Sequence, residues 1–305
     1  MLLVLALLVG SGAAFAVTER LKLEPSPIAG TQVDKVFSPV CRCKTNRAKI
    51  SFRLRRADRV TVDMINRDGE VVSEVIRNRR ESRGRVTVFW NGRNGSGTVV
   101  PEGSYRPRVH LSPDRRTILL PNPIRVDTTP PRVRLLSVRP RVFSPDGDRR
   151  RDSVTVRYRV DEPASVLLYV DGIRRVRVRG LHTRGTVVWF GKVDSHALPT
   201  GVYRLSLGAL DAAGNLGPPT AGHDVLLRYI AIGRRQIDAV AGDRFAVLVL
   251  SDAAVIDWRL GARSGTARPG TLRLRAPLVP GRYTLTVTAN GHSDRAAVIV
   301  RKRPS

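Results

Sequence analysis

Two cysteines in 305 residues exclude a disulfide-stapled scaffold and a Cys-rich zinc protein. Aromatic residues make up only 5%, and no basic stretch interleaves with stacking aromatics as single-strand nucleic-acid binders require. The five histidines, at 110, 182, 196, 223 and 292, are scattered without metal-ligand spacing. Gly-x-Ser-x-Gly, His-Glu-x-x-His and phosphate-cradling loops are missing, so catalysis has no motif to rest on. His292-Ser293-Asp294 is contiguous, whereas a catalytic triad is assembled from separate elements; it reads as a turn after Asn290-Gly291. Long segments with a 3.6-residue period are also missing beyond the N-terminus.

What the chain has in excess is positive charge. Lys and Arg number 53 against 26 Asp and Glu, a formal net charge of +27, and only six of the basic residues are lysines. Residues 1–35 are neutral, residues 36–126 carry +12, residues 127–228 carry +7, and residues 229–305 carry +8. The arginines alternate with apolar residues, as in Val154-Thr155-Val156-Arg157-Tyr158-Arg159-Val160 and Leu272-Arg273-Leu274-Arg275. A period of two places them on the solvent face of strands, which keeps the sheets soluble and offers a surface to polyanions. Nucleic acid is not the expected partner.

Met1 to Val17 carries no charge and ends in Ala14-Phe15-Ala16, a small-x-small pattern suited to signal peptidase. Residues 1–17 therefore read as an export segment, either a signal peptide or a retained hydrophobic helix anchoring the chain in the membrane. The usual basic n-region is missing, which is explained if Met1 is internal to a longer reading frame. Residues 18–35 read as a linker.

Self-similarity organises the rest. Phe37-Ser38-Pro39 recurs as Phe143-Ser144-Pro145, Trp90-Asn91-Gly92 as Trp189-Phe190-Gly191, and Pro101-Glu102-Gly103-Ser104-Tyr105 as Pro199-Thr200-Gly201-Val202-Tyr203, with shifts of 106, 99 and 98. A looser third copy has Trp258 and Pro280-Gly281-Arg282-Tyr283. Short alternating runs bounded by Gly, Asp and Pro turns predict an all-β chain of tandem immunoglobulin-like β-sandwiches, spanning residues 36–126, 127–228 and 229–303.

Asp68-Gly69-Glu70-Val71-Val72, followed by the stretch from Trp90-Asn91-Gly92 to Pro101-Glu102-Gly103-Ser104-Tyr105, resembles the Ig-like domain of the flagellar hook-cap protein FlgD. That domain also recurs in exported bacterial proteins with no flagellar role. Phe143-Ser144-Pro145-Asp146-Gly147-Asp148 and Asp152 resemble the opening motif of similar surface-protein domains, and the third unit is similar to bacterial Ig-like domains in general. Nothing resembles the hook-binding part of the flagellar protein. The resemblance implies an accessory module for assembly or adhesion, with an envelope protein or an anionic cell-wall polymer as partner. An accessory chain of an envelope enzyme and a polyanion-binding surface protein are the alternatives.

Two local constellations carry candidate chemistry. Asp146, Asp148 and Asp152 form an oxygen-rich loop with Gly147 at its turn, the donor type that calcium prefers. Arg149, Arg150 and Arg151 lie between them, so pairing with arginine and capping of turn amides is the competing reading. Cys41 and Cys43 occupy the matching loop of the first unit. Residues i and i+2 on a strand lie about 6.5–7 Å apart, at the limit for a bridge, so a Cys41–Cys43 disulfide requires a tightly folded loop. An intermolecular bridge is its rival.

Overall fold

Alternation of apolar and polar residues translates directly into strands. A computed structural model describes residues 26–112 and 115–303, and within them every regular element is a strand. The hydrophobic helix expected at residues 1–17 lies outside the described residues. Among those residues, no helix is long and apolar enough to cross a membrane.

Three separate hydrophobic cores form. The first is enclosed by the three-stranded sheet of Ile28–Val33, Ala48–Leu54 and Gly84–Trp90 and by a second sheet. That second sheet runs Val36–Phe37, Ile124–Val126, Gly103–Leu111, Asp58–Ile65, Val71–Glu81, with Arg116–Leu119 on Gly103–Leu111. The third core lies between Ala231–Ile232, Arg244–Leu250 and Gly270–Arg275 on one side and Gln236–Val240, His292–Arg301, Gly281–Ala289, Ile256–Leu260 and Arg263–Ala267 on the other.

The second sandwich is built differently at its centre. Val154–Val170 is one continuous strand of 17 residues. Its first half pairs with Val133–Arg139 and His182–Trp189, and its second half pairs with Ile173–Arg177 and Gly201–Leu210. The same path in the first sandwich is broken at Arg55-Arg56-Ala57 into two strands, Ala48–Leu54 and Asp58–Ile65.

All three sandwiches open alike. The first strand pairs antiparallel in one sheet, and the chain then crosses to the other sheet and pairs parallel with the last strand. This moves one sequence boundary. Ile28–Val33, expected in the linker of residues 18–35, is the opening strand of the first sandwich, paired with Ala48–Leu54. Only Ile28 of that strand is buried, so its sequence lacks the apolar alternation that marks the other strands. By compactness the chain forms two units. One holds the described residues up to Thr129 together with Ala212–Asn215; the other holds Pro130–Asp211 and Leu216 onward, and so contains the second and third cores.

The arginines behave as the period of two predicts. Val154, Val156, Tyr158 and Val160 are buried while Arg157 and Arg159 are exposed, and Leu272 and Leu274 are buried while Arg273 and Arg275 are exposed. Extending the side chain outward leaves the guanidinium hydrated, which avoids the large cost of burying an unpaired charge.

Candidate functional site

The repeated landmarks meet in space. Phe37, Trp90 and Tyr105 stack edge to face, with ring centroids 5.5 Å and 5.2 Å apart. Phe143, Trp189 and Tyr203 repeat the arrangement at 5.5 Å and 5.7 Å. Each indole N–H donates to the carbonyl three residues on, Trp90 to Arg93 at 3.3 Å and Trp189 to Lys192 at 3.2 Å. Each tyrosine hydroxyl donates to the carbonyl four residues back: Tyr105 to Pro101 at 2.7 Å, Tyr203 to Pro199 at 2.8 Å, and Tyr283 to Val279 at 2.8 Å. These bonds satisfy polar atoms that would otherwise be stranded at the core margin.

The glycine of Trp-x-Gly explains why the two motifs travel together. Gly92 and Gly191 have φ of +69° and +63°, and a Cβ at either would lie 2.8 Å from Pro39 or Pro145 of the matching Phe-Ser-Pro. The turn after the tryptophan is thus pressed against the turn that opens the domain. Trp258 does not complete a third copy of this cluster. It sits mid-strand in Ile256–Leu260, half-buried, and covers Gly265, where an added Cβ would meet the indole at 3.0 Å.

The two opening loops carry the candidate chemistry. In the first, the chain folds tightly enough to bring the Cα atoms of Cys41 and Cys43 to 5.2 Å, and the sulfurs are bonded to each other. Thr45 Oγ1 lies 3.1 Å from Cys43 Sγ, and a Cβ at Gly214 would come within 2.6 Å of that sulfur. In the second loop, carboxylate oxygens of Asp146, Asp148 and Asp152 all lie within 4.8 Å of one another. Asp152 accepts the amides of Gly147 and Arg149, both at 2.8 Å, and Asp148 accepts that of Arg150 at 2.7 Å. Amide capping therefore shapes the loop. Pairing with arginine does not: Arg149, Arg150 and Arg151 point into solvent, and among the described residues no ion pair links them to these carboxylates.

Two polar residues of this neighbourhood come from the third sandwich and carry no motif in the sequence. The Asn290 amide nitrogen lies 3.1 Å from Asp146 Oδ2 and 3.4 Å from Asp148 Oδ2. Asp252 follows the strand Arg244–Leu250, and burial, reinforced by the negative charges of Asp146 and Asp148, raises its pKa above the ordinary carboxylate value. Its own amide, second only to burial, and the Ser144 hydroxyl pull the other way.

His292 and Asp294 are engaged structurally. The His292 ring stacks on Tyr229 with centroids 3.6 Å apart. Asp294 accepts the Ile232 amide at 2.8 Å and Arg235 Nη1 at 2.6 Å. Burial alone would raise the Asp294 pKa, but the Ile232 amide, the Arg235 guanidinium and the Arg295 amide together hold it below the usual value. A depressed pKa contributes stability that is complete above the unfolded value of about 4 and is lost as pH falls through the lower folded value. Asp294→Asn is therefore expected to lower stability by about 1–2 kcal/mol at pH 7 and to narrow the difference between pH 7 and pH 3, read from urea midpoints. An unchanged difference between the two pH values would remove Asp294 from the acid response.

Comparisons with known proteins agree with this architecture in the first sandwich. No curated protein matches the chain. Fibronectin(III)-like modules of CbhA from Clostridium thermocellum are 15% identical over 56% of this chain and 95% of theirs, with a TM-score of 0.23. A solved chain of a 1.5-MDa bacterial ice-binding adhesin is 14% identical over 91% of this chain and 99% of its own length, with a TM-score of 0.28. Alpha-2-macroglobulin from Escherichia coli is 12% identical over 90% of this chain, which spans only 23% of that protein, with a TM-score of 0.28. Residues 39–113, which hold Trp90 and its Pro-x-Gly-x-Tyr turn, match the family model of the FlgD Ig-like domain.

Proposed function

We propose that this chain is a non-enzymatic structural or binding protein of the bacterial cell envelope, in which tandem Ig-like sandwiches hold an envelope protein or cell-wall component. The observation that carries this reading is the FlgD Ig-like domain at residues 39–113, a module type suited to protein–protein contact. Residues 1–17 would export the chain or anchor it in the membrane. Val71–Glu81, at the free edge of its sheet, bears Arg77, Arg79 and Arg80 beside Glu74 and Glu81. Such charges oppose indiscriminate strand pairing, so a partner must supply complementary charge or bind through loops.

A second reading is supported by the outward arginines: the surface binds an anionic envelope polymer. The two differ in salt dependence, because polyelectrolyte binding releases counterions and weakens steeply with salt. Capture from solubilised envelope in about 50 mM and about 200 mM salt separates them. A defined protein retained at the higher salt supports the scaffold reading. Polymer lost by a factor of about 10³ or more supports the polyanion reading. Capture of neither at the lower salt would defeat both.

A further inference from the structure

Acidic residues are divided unevenly between the two layers of each sandwich. The three-stranded layers are Ile28–Val33, Ala48–Leu54 and Gly84–Trp90 in the first, and Val133–Arg139, residues 154–160 and His182–Trp189 in the second. In the third they are Ala231–Ile232, Arg244–Leu250 and Gly270–Arg275. Together these strands hold eleven Lys and Arg, all exposed, and not one Asp or Glu. The opposite layers hold both signs and pair them across strands, as in Arg108–Asp63 at 3.0 Å, Arg301–Asp238 at 3.2 Å and Arg204–Asp224 at 3.9 Å. Among the described residues, no ion pair reaches a basic residue of the three-stranded layers. Solubility is served by interspersed charges of both signs, so it does not account for a face cleared of acids.

The charge is densest in the second sandwich. Arg134, Arg159 and Arg184 stand directly opposite one another on three neighbouring strands, which lie about 5 Å apart. Arg157 takes the next outward position on the central strand, and Arg139 lies one row further on the first. Asp161, the nearest acid along the central strand, is turned to the Arg132 amide at 2.8 Å. Like charges directly opposite destabilise a sheet, and nothing within the chain offsets this row. We propose that this face binds a phosphate-bearing polymer of the envelope; the proposal rests on the polyanion reading above and gives it a place. A tetrahedral phosphate presents oxygens outside any single plane and can accept from guanidinium groups on two neighbouring strands. A planar carboxylate is matched by one guanidinium fork. These rows carry no aromatic ring on which a base could stack, so the polymer is held by its charge.

The test is binding of long-chain polyphosphate to the whole chain between about 50 mM and about 200 mM salt, with polyglutamate of matched charge as the second polymer. The wild type is expected to bind polyphosphate more tightly than polyglutamate. The triple variant Arg134→Gln, Arg159→Gln, Arg184→Gln should lose affinity about tenfold or more, and its logarithmic salt slope should fall by about two, as three phosphate contacts disappear. Arg174→Gln, Arg177→Gln, Arg179→Gln removes the same charge from the opposite layer, about 10 Å away and beyond the Debye length of about 8 Å, and should keep the wild-type slope. Relief of repulsion should let the first triple melt at or above the wild type at low salt. A triple that melts well below it shows that these arginines serve the fold, and overturns the proposal. Wild type that binds neither polymer at about 50 mM salt defeats the polyanion reading itself. Binding that the first triple leaves intact keeps that reading and overturns this face, and equal binding of polyglutamate overturns the assignment to phosphate.

Discussion

Replacing Trp90 with alanine is expected to destabilise the first unit by about 3–5 kcal/mol, the range for removing a fully buried aromatic side chain. Trp90 is 1% exposed and packs on both Phe37 and Tyr105, so its loss opens a cavity that touches both sheets. The indole N–H bond to Arg93 disappears with it, and the turn that follows loses its anchor. Collapse around the hole is hindered because Gly92 is already pressed against Pro39. Against a typical domain stability of 5–15 kcal/mol, such a loss takes a large share. For a domain of this size it corresponds to a fall of more than about 10 °C in melting temperature. Trp90→Phe should recover roughly half of the loss, because it restores ring packing but not the hydrogen bond. Urea denaturation of both variants checks this. A cost below about 1 kcal/mol for the alanine variant would mean that the aromatic cluster is not the keystone of this sandwich.

Gly191→Ala is expected to destabilise the second unit by about 2–4 kcal/mol, although it adds a single carbon atom. Two effects combine. At φ +63° an L-residue pays for a left-handed conformation, and the new Cβ would stand 2.8 Å from Pro145, 2.9 Å from Leu227 and 3.0 Å from Phe143. These three neighbours belong to the opening loop, the closing strand and the core, so relief at one increases crowding at another. Gly172→Ala is the control. It has φ +78° but open space around the added atom, and should cost only about 1 kcal/mol. Equal losses at the two positions would show that backbone strain alone matters and that the contact between Trp-x-Gly and Phe-Ser-Pro is incidental.

The features legible in the sequence are those whose physics is local. Trp90, Tyr105 and their repeats Trp189 and Tyr203 are recognisable because indole and phenol bond to backbone three or four residues away, so spacing preserves the geometry. Arg157 and Arg159 are legible because strand periodicity alone decides which face they take. Ile28–Val33 escaped because a strand with one buried side chain has no pattern to betray it; its pairing is set by backbone bonds and by the register with Ala48–Leu54. Trp258 misled for the opposite reason, since a tryptophan at about the right spacing carries no statement of which face it occupies. Asp146, Asp148 and Asp152 are adjacent and visible, whereas Asp252 and Asn290 reach their neighbourhood only through the fold.

The unbroken strand Val154–Val170 bears on how the second sandwich comes apart. Because one backbone is hydrogen-bonded into both layers, a fluctuation that peels either sheet must strain the other through the covalent chain. Amide hydrogens on both halves of that strand should then exchange with solvent together, through a single large opening. The first sandwich has a joint at Arg55-Arg56-Ala57 in the corresponding place, so its layers can breathe separately and their amides can exchange at independent rates. Two domains built from the same landmarks thus differ in the number of independent ways they can loosen, and the difference is written in three residues.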